Sequence, residues 1–213
     1  MFFYDNMSNK DSFYPKMDIK SYRASLEAAK ERRGHHMCAP LKKIRGKSAE
    51  ELLIAANLTD KVPVPLEPIL EYLGIAAVPF DFAEVEETLA DVVSQRGNIL
   101  GMMYSKDDHA GILYRKDDSV NSQRFTIAHE LGHCAISNKD VSRRIEFRND
   151  KESIDPTECS ANTFAGELLI PERHLRRFYT LATASRVDLL AQAFAVSENV
   201  MRARLDDLGL TYE

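Results

Sequence analysis

The chain lacks the features that mark disulfide-stabilised, secreted and membrane-spanning proteins. Its 213 residues include only three cysteines, Cys38, Cys134 and Cys159, which are widely spaced and form no CxxC pair. This odd number argues against a disulfide framework and fits a reducing compartment. The longest apolar runs, such as residues 75–78, are far too short to span a bilayer, and the first residues show no basic segment followed by an apolar stretch. We therefore expect a cytoplasmic protein with no membrane partner.

A large excess of one charge is also missing. The net charge is −5, and hydrophobic and charged residues make up 44% and 29% of the chain. This ordinary globular mixture disfavours whole-chain disorder, collagen and coiled coil, and it gives no reason to expect a general attraction to nucleic acid or anionic membranes. The length suffices for one sizeable core with appendages.

The chain divides into three segments. Residues 1–47 contain a basic second half, and we interpret them as a solvated, partly disordered extension because no aromatic interleaving supports nucleic-acid stacking. The alternative is an arm for nucleic acid or an acidic partner. Ordered structure is expected to begin at Ser48, with the main core over residues 48–180 and a helical subdomain over residues 181–213.

Local patterns predict an α+β fold. Ser48-Ala-Glu-Glu51 is a capping box, which opens a helix predicted to end near residue 57. Further helices are predicted over residues 66–73, 121–136 and 156–169, with two short helices between residues 187 and 210. Strand-like runs at residues 75–82, 99–104 and 111–114 predict a small antiparallel sheet. The last run is either an edge to which an extended substrate adds itself or an interior strand.

The predicted helix over residues 121–136 contains the sequence HExxH. His129 and His133 are four residues apart, so they lie one turn apart on the same helix face and can bind one zinc ion. Glu130 follows His129 directly, so binding the same ion would require a strained geometry. It can instead reach a water molecule at the open metal position, take its proton and pass it to a leaving amine. We therefore predict that Glu130 is the general base of an amide-hydrolysing site.

The helix face that carries the two histidines is predicted to be buried. Apolar or small residues lie on or beside this face, namely Phe125, Ala128, Gly132 and Ile136. Buried imidazoles need partners, and a shared metal ion is the simplest one. The alternative is a helix that carries two surface histidines, since HExxH also arises by chance.

Glu158 is the predicted third ligand. Asp155 and Pro156 are a natural N-cap and first residue of a helix. That helix carries a core-facing apolar stripe made up of Ala161, Phe164, Ala165, Leu168 and Leu169. Extended back by one turn, the stripe reaches Glu158. A carboxylate on this inward face needs a partner of opposite charge, and a metal ion would provide it. The alternative is a capping-box glutamate that binds the N-cap backbone.

Two histidines and one glutamate leave a fourth position for water, which is the arrangement of a catalytic zinc site. Manganese and iron are not excluded by these ligands.

Four stretches of the chain resemble the ImmA/IrrE metallopeptidases. They are Arg124-Phe-Thr-Ile-Ala-His-Glu-Leu-Gly-His133, Glu158-xx-Ala-xx-Phe-Ala-xx-Leu-Leu-x-Pro171, Leu190-Ala-xx-Phe-x-Val-Ser197 and Arg204-Leu-xx-Leu-Gly-Leu210. The resemblance covers about residues 48–210, and the first two stretches are the most specific.

This resemblance implies a zincin-like α+β core with metal ligands His129, His133 and Glu158 and general base Glu130. It also implies a narrow substrate class: helix-turn-helix repressors encoded nearby, which are cleaved to induce mobile-element excision or a damage response. Many members carry a further histidine one turn after the second ligand, where this chain has Ser137. Any role of that histidine is missing or reassigned here.

Other residues carry weaker signals. A zincin uses a side chain to hold the developing oxyanion, and the candidates, each of which could simply pack or face solvent, are Tyr114, His109, His174 and Tyr179. Cys134 and Cys159 each follow a proposed ligand by one position. On a helix the next residue points about 100° away, so we expect small buried hydrophobes rather than a redox switch.

The C-terminal tail looks like half of a helix-turn-helix, with Ser197 as the N-cap of its second helix. That helix mixes basic and acidic side chains, namely Arg202, Arg204, Glu198, Asp206 and Asp207. Binding to phosphates requires a net positive docking face. We therefore expect the tail to pack on the core or contact the repressor rather than DNA.

Two classes of function follow from the sequence. The leading one is a site-specific zinc endopeptidase, with one zinc ion per chain, that inactivates a repressor by cleaving it. The competing one is a non-proteolytic binding module that keeps the scaffold and acts by repressor sequestration or by DNA contact through the tail. A general housekeeping protease is disfavoured because no export signal or propeptide is visible.

Overall fold

The computed structural model describes residues 38–81, 99–106, 109–136, 143–147, 155–181 and 186–212. Three helices come first along these residues, then three strands, one long helix, a fourth strand and four further helices. The helices are α1 (Ala39–Ile44), α2 (Ala49–Ala55), α3 (Glu67–Leu73), α4 (Val120–Ile136), α5 (Pro156–Leu169), α6 (Glu172–Leu181), α7 (Val187–Phe194) and α8 (Glu198–Asp207). The strands are β1 (Ile75–Phe80), β2 (Ile99–Lys106), β3 (His109–Arg115) and β4 (Arg143–Phe147). The predicted α+β class is confirmed.

The described strands form one mixed sheet in the order β1-β3-β2-β4. β2 is antiparallel to both β3 and β4, whereas β1 is parallel to β3, with Ile75 opposite Ala110. The prediction of an antiparallel sheet was therefore wrong for β1. Only two residues of sequence separate β2 from β3, too few for a crossover, so these strands are antiparallel. β3, rather than β2, lies beside β1. β3 is consequently an interior strand, which excludes the edge alternative.

Helix α4 lies at the centre of the fold, against β2 and β3 on one side and α5 on the other. Met103 of β2, Ile112 of β3 and Leu131 of α4 are completely buried. They belong to the same hydrophobic cluster as Ala165 and Leu168 of α5. The burial of apolar side chains on both sides fixes α4 in the middle of the molecule, and α4 carries the HExxH sequence.

Local sequence signals set the helix ends as predicted. The Ser48 hydroxyl accepts a hydrogen bond from the Glu51 backbone N–H, and the Glu51 carboxylate accepts one from the Ser48 backbone N–H at 2.8 Å. These bonds lower the pKa of Glu51. Gly74 ends α3 in a left-handed conformation with φ of 75°, which glycine adopts without a steric penalty.

Ordered structure begins before Ser48, so the predicted boundary was wrong. Cys38 precedes α1, and it is buried together with Leu41 and Ile44 of that helix. The Gly46 backbone N–H donates to the Ala135 carbonyl at the end of α4. The sequence did not reveal this apolar face, because α1 is short and its two lysines stand between the buried residues Leu41 and Ile44. The predicted basic extension otherwise lies outside the described residues.

The predicted packing of the tail on the core is confirmed. Val187 and Phe194 of α7 and Leu205 of α8 belong to the main hydrophobic cluster. Side chains of the first turns of α4 hold the α7–α8 turn: Asn121 Nδ2 donates to the Val196 carbonyl and Arg124 Nε donates to the Ala195 carbonyl. Among the described helices, none combines the length and the apolar character that a bilayer span requires.

Candidate metal centre

Helix α4 brings the two histidines together. Their Nε2 atoms are 2.8 Å apart, and the rings meet edge to face with centroids 4.5 Å apart. His129 is 7% exposed and His133 is 1% exposed. The predicted burial of this pair is confirmed, and the alternative of two surface histidines is excluded.

Helix α5 supplies the third group. Glu158 Oε2 lies 3.3 Å from His129 Nε2 and 3.4 Å from His133 Nε2. Ligands about 2.0–2.1 Å from a tetrahedral zinc ion are separated by about 3.3 Å. The two histidine–glutamate separations match this value, and the 2.8 Å between the histidine nitrogens is shorter than it. The three residues form a cluster that could hold a metal ion. Asp155 caps α5, as predicted, by accepting from the Thr157 N–H.

Close packing of α4 on α5 makes this approach possible. A Cβ atom added at Gly132 would lie 2.9 Å from the Ala161 carbonyl oxygen and 3.1 Å from Ala161 Cα. Both are backbone atoms, so α5 could not accommodate the added atom by turning a side chain. Gly132 stands one residue before His133, and Ala161 stands three residues after Glu158. The absence of a side chain at Gly132 therefore sets the separation of the ligand-bearing helices.

Replacing Gly132 by alanine is expected to lower stability and weaken metal binding together. In an open helix this change would stabilise the chain by roughly 0.5–1 kcal/mol, but overpacking against backbone costs about 1–3 kcal/mol, so the net effect is destabilising. Urea denaturation with a chelator present measures the first effect, and metal titration the second. Gly166→Ala is the matched control, because its Cβ would meet only Arg204 Cδ at 3.8 Å; a similar response in both variants would contradict the prediction.

Asn162 is a site residue that sequence reasoning missed. Its Oδ1 lies 2.8 Å from His129 Nδ1. Since a carbonyl oxygen can only accept, the hydrogen is on Nδ1, which leaves the Nε2 lone pair directed at Glu158 and His133. Asn162 is four residues after Glu158 and therefore on the same face of α5. That spacing was the available signal.

Replacing Asn162 by alanine is expected to weaken metal binding by about 10–100-fold, the usual effect of removing a partner that orients a histidine ligand. Asn162→Asp should retain most of the affinity, because a carboxylate also accepts from Nδ1. Competition with a chromophoric chelator measures the change. Thr163→Ala, at the next and exposed position of α5, is the control, and equal affinity in Asn162→Ala and the control would contradict the assignment.

Glu130 is completely buried, one residue after the first histidine. Its carboxylate lies beside β2: a Cβ atom added at Gly101 would be 3.1 Å from Glu130 Oε1 and 2.5 Å from Thr126 Cγ2. The missing side chain at Gly101 thus leaves the space that this carboxylate and Thr126 occupy. Glu130 is not among the three clustered ligands, which fits a separate role in proton transfer.

The candidates for oxyanion stabilisation divide into two groups. His174 Nε2 bonds the Thr59 carbonyl at 2.6 Å, and the Tyr179 hydroxyl donates to the Thr211 carbonyl at 2.7 Å. Both side chains have roles in tertiary packing. His109 is exposed at the start of β3, and Tyr114 is partly buried near its end. Burial and the nearby Glu67 raise the pKa of the Tyr114 hydroxyl.

The residues next to the ligands were predicted to be buried, and the structure confirms this for some of them. Cys134 is buried, as predicted, but Cys159 is exposed, because one step beyond Glu158 turns that position of α5 toward solvent. On α4, Ala128 and Gly132 are buried as expected, whereas Ile136 is 38% exposed at the helix end. Ser137 lies outside the described residues.

Comparison with known proteins gives one informative result. No curated protein matches the chain. Residues 70–206, well over half of the chain, match the peptidase family described as the IrrE N-terminal-like domain. The match includes α4 and α5, and so all three clustered residues and Glu130. The chain therefore belongs to the IrrE N-terminal-like family of metallopeptidases.

Proposed function

We propose that the chain is a zinc-dependent endopeptidase that cleaves a helix-turn-helix transcriptional repressor and so induces mobile-element or stress-response genes. The observation that carries the peptidase assignment is the cluster of His129, His133 and Glu158 with Glu130 next to it on α4. Two imidazoles and one carboxylate fit zinc and leave room for a further ligand, as in catalytic rather than structural zinc sites.

The residues divide the chemistry between them. Zinc, when bound by the three clustered side chains, would supply a Lewis acid that polarises the scissile carbonyl and lowers the pKa of water. Glu130 takes a proton from the attacking water as its oxygen bonds to the carbonyl carbon. Glu130 then delivers that proton to the amide nitrogen as the carbon–nitrogen bond breaks, which releases a carboxylate and an amine. Asn162 keeps the His129 ring in the orientation and tautomer that metal binding needs.

The repressor as substrate rests on the resemblance to the ImmA/IrrE proteins and on membership of the family. The tail supports a protein rather than a DNA partner. α8 carries Glu198 in its first turn, paired with Arg202 at 3.2 Å, and Arg204 is only 7% exposed, so it adds little charge to the outer surface of α8. Little positive charge is left on α8 to bind a nucleic-acid backbone.

Coexpression with each helix-turn-helix repressor found among the genes that flank this one tests the proposal. Two discrete repressor fragments should appear with the wild-type chain. Purified components should reproduce the cleavage after zinc loading and not after chelation. Mass spectrometry of the fragments then identifies the scissile bond. An intact repressor under all these conditions, with zinc bound at one ion per chain, would refute the repressor as substrate.

A further inference from the structure

A cavity of about 480 Å³ lies between α2, α5, α6 and α8. Its lining includes Glu50, Thr59, Glu167, His174, Arg176 and Arg204. Glu158 is in the first turn of α5 and Glu167 follows nine residues later, about 13 Å along the helix axis. The cavity is therefore at the opposite end of α5 from the metal cluster. Its volume is within the range of about 300–1,000 Å³ typical of small-molecule sites.

Arg204 is the central feature of this cavity. The side chain is only 7% exposed, although a guanidinium carries five N–H donors and a permanent charge. Its Nε is 3.4 Å from the Ile170 carbonyl, and its Nη1 is 3.8 Å from the Glu167 carboxylate. The first contact is long for a hydrogen bond and the second exceeds that range. Within the described parts of the chain these are its polar contacts, so most of its donors remain available to a ligand.

The lining balances charges of both signs. Arg173, Arg176 and Arg204 face the same space as Glu50, Glu167 and Glu172. Arg176 pairs with Glu172 at 2.7 Å, and Arg173 pairs with Asp60, but all four of these side chains are about half exposed or more. Exposed pairs of this kind contribute little and exchange readily. Among the described residues, Glu50 makes no ion pair or side-chain hydrogen bond. The lining of the cavity therefore includes the buried guanidinium of Arg204 and the carboxylate of Glu50, which has no charged partner among the described residues.

We propose that this cavity binds a small zwitterion of the amino-acid class. The ligand carboxylate lies against Arg204, and its ammonium group lies against Glu50 and Glu167. A bidentate guanidinium–carboxylate contact satisfies the Arg204 donors that the protein leaves open. A simple anion would meet three carboxylates in the lining, and a simple cation would meet three arginines, so a ligand carrying both charges fits the lining best. This site is independent of the metal cluster and of the proposed repressor cleavage.

An explanation without a ligand is that Arg204 serves only to hydrogen-bond the Ile170 carbonyl at the end of α5. That role uses one donor, and it predicts that changing Arg204 lowers stability and has no effect on ligand binding. Binding measurements therefore separate the two explanations.

Isothermal titration calorimetry of the full chain with each common L-amino acid tests the proposal. At least one amino acid should bind, and its N-acetylated and carboxamide forms should each bind more weakly. Arg204→Met, which keeps the apolar stem, should weaken binding by about 10–100-fold, the range for a hydrogen bond to a charged group. Glu50→Gln, at an exposed position of α2, removes the ammonium partner and should also weaken binding. Arg202→Met, on the same helix but outside the lining, should bind like wild type.

Failure of all the amino acids to bind at millimolar concentration would overturn the proposal. Binding that is unchanged in Glu50→Gln and Arg204→Met would place the ligand elsewhere and also overturn it. If Arg204→Met does not fold, as judged by circular dichroism, Glu50→Gln and Glu167→Gln decide the outcome.

Discussion

Replacing Glu130 by glutamine is expected to abolish repressor cleavage and leave the metal content of the chain unchanged. Glu130 is completely buried and is not one of the clustered ligands. Glutamine has almost the same shape, so the packing beside Gly101 and Thr126 should survive. The amide cannot accept a proton from water and pass it to the leaving amine. General acid–base catalysis contributes about 10²–10⁴-fold to the rate, and the loss should be in this range or larger.

Single-turnover cleavage and metal analysis by mass spectrometry measure the two effects separately. Glu71→Gln makes the same chemical change at an exposed position on α3, and it should cleave like wild type. This experiment also separates the two classes of function. A Glu130→Gln variant that still relieves repression would show that the chain acts by binding the repressor, and the peptidase proposal would fail.

Replacing Glu158 by alanine is expected to remove most of the bound metal. Glu158 Oε2 is within 3.4 Å of both histidine Nε2 atoms, and α4 alone supplies two ligands. Loss of a direct ligand should cost more than the about 10–100-fold expected for the outer partner Asn162. The carboxylate side chain is 32% exposed, so its removal should leave the fold intact.

Metal per chain after extensive dialysis provides the measurement. Wild type should retain near one zinc ion, and the variant close to none. Glu167→Ala, nine residues later on α5, is the matched control and should retain the wild-type content. Full retention in Glu158→Ala would contradict the three-ligand site and restore the alternative that Glu158 is only a capping residue.

The residues of the metal cluster were predictable because local geometry determines them. The four-residue spacing places His129 and His133 on one face of a helix, and an inward apolar stripe carries that direction back to Glu158. These arguments need no knowledge of the tertiary fold. The four-residue spacing from Glu158 also pointed to Asn162, but exposed helix positions often carry asparagine, so the spacing alone did not single this residue out.

Other features depend on how distant segments pack, which spacing does not encode. β3 lies between β1 and β2, and nothing in the residues of β1 distinguishes one neighbour from the other. The close contact between the backbones of α4 and α5 at Gly132 could not be predicted either, because glycine also occurs in helices that have no neighbouring helix close by. Cys159 was predicted to be buried, but it lies on the solvent side of α5. Helix α1 was not predicted because it buries only three residues and lies within a basic stretch of the sequence.

Helices α1, α2 and α3 contribute to the core, although most of their residues precede the region that matches the family. The segment that matches the family is therefore shorter than the segment that must fold together. The matched family region starts at residue 70, yet Ile44, Leu52 and Ile69 precede it and are completely buried in the main cluster. Burying one such side chain stabilises a protein by about 1.5–3 kcal/mol, and domains are stable by only about 5–15 kcal/mol. A fragment cut at the homology borders would therefore lose much of its margin against unfolding, and expression should begin before Cys38.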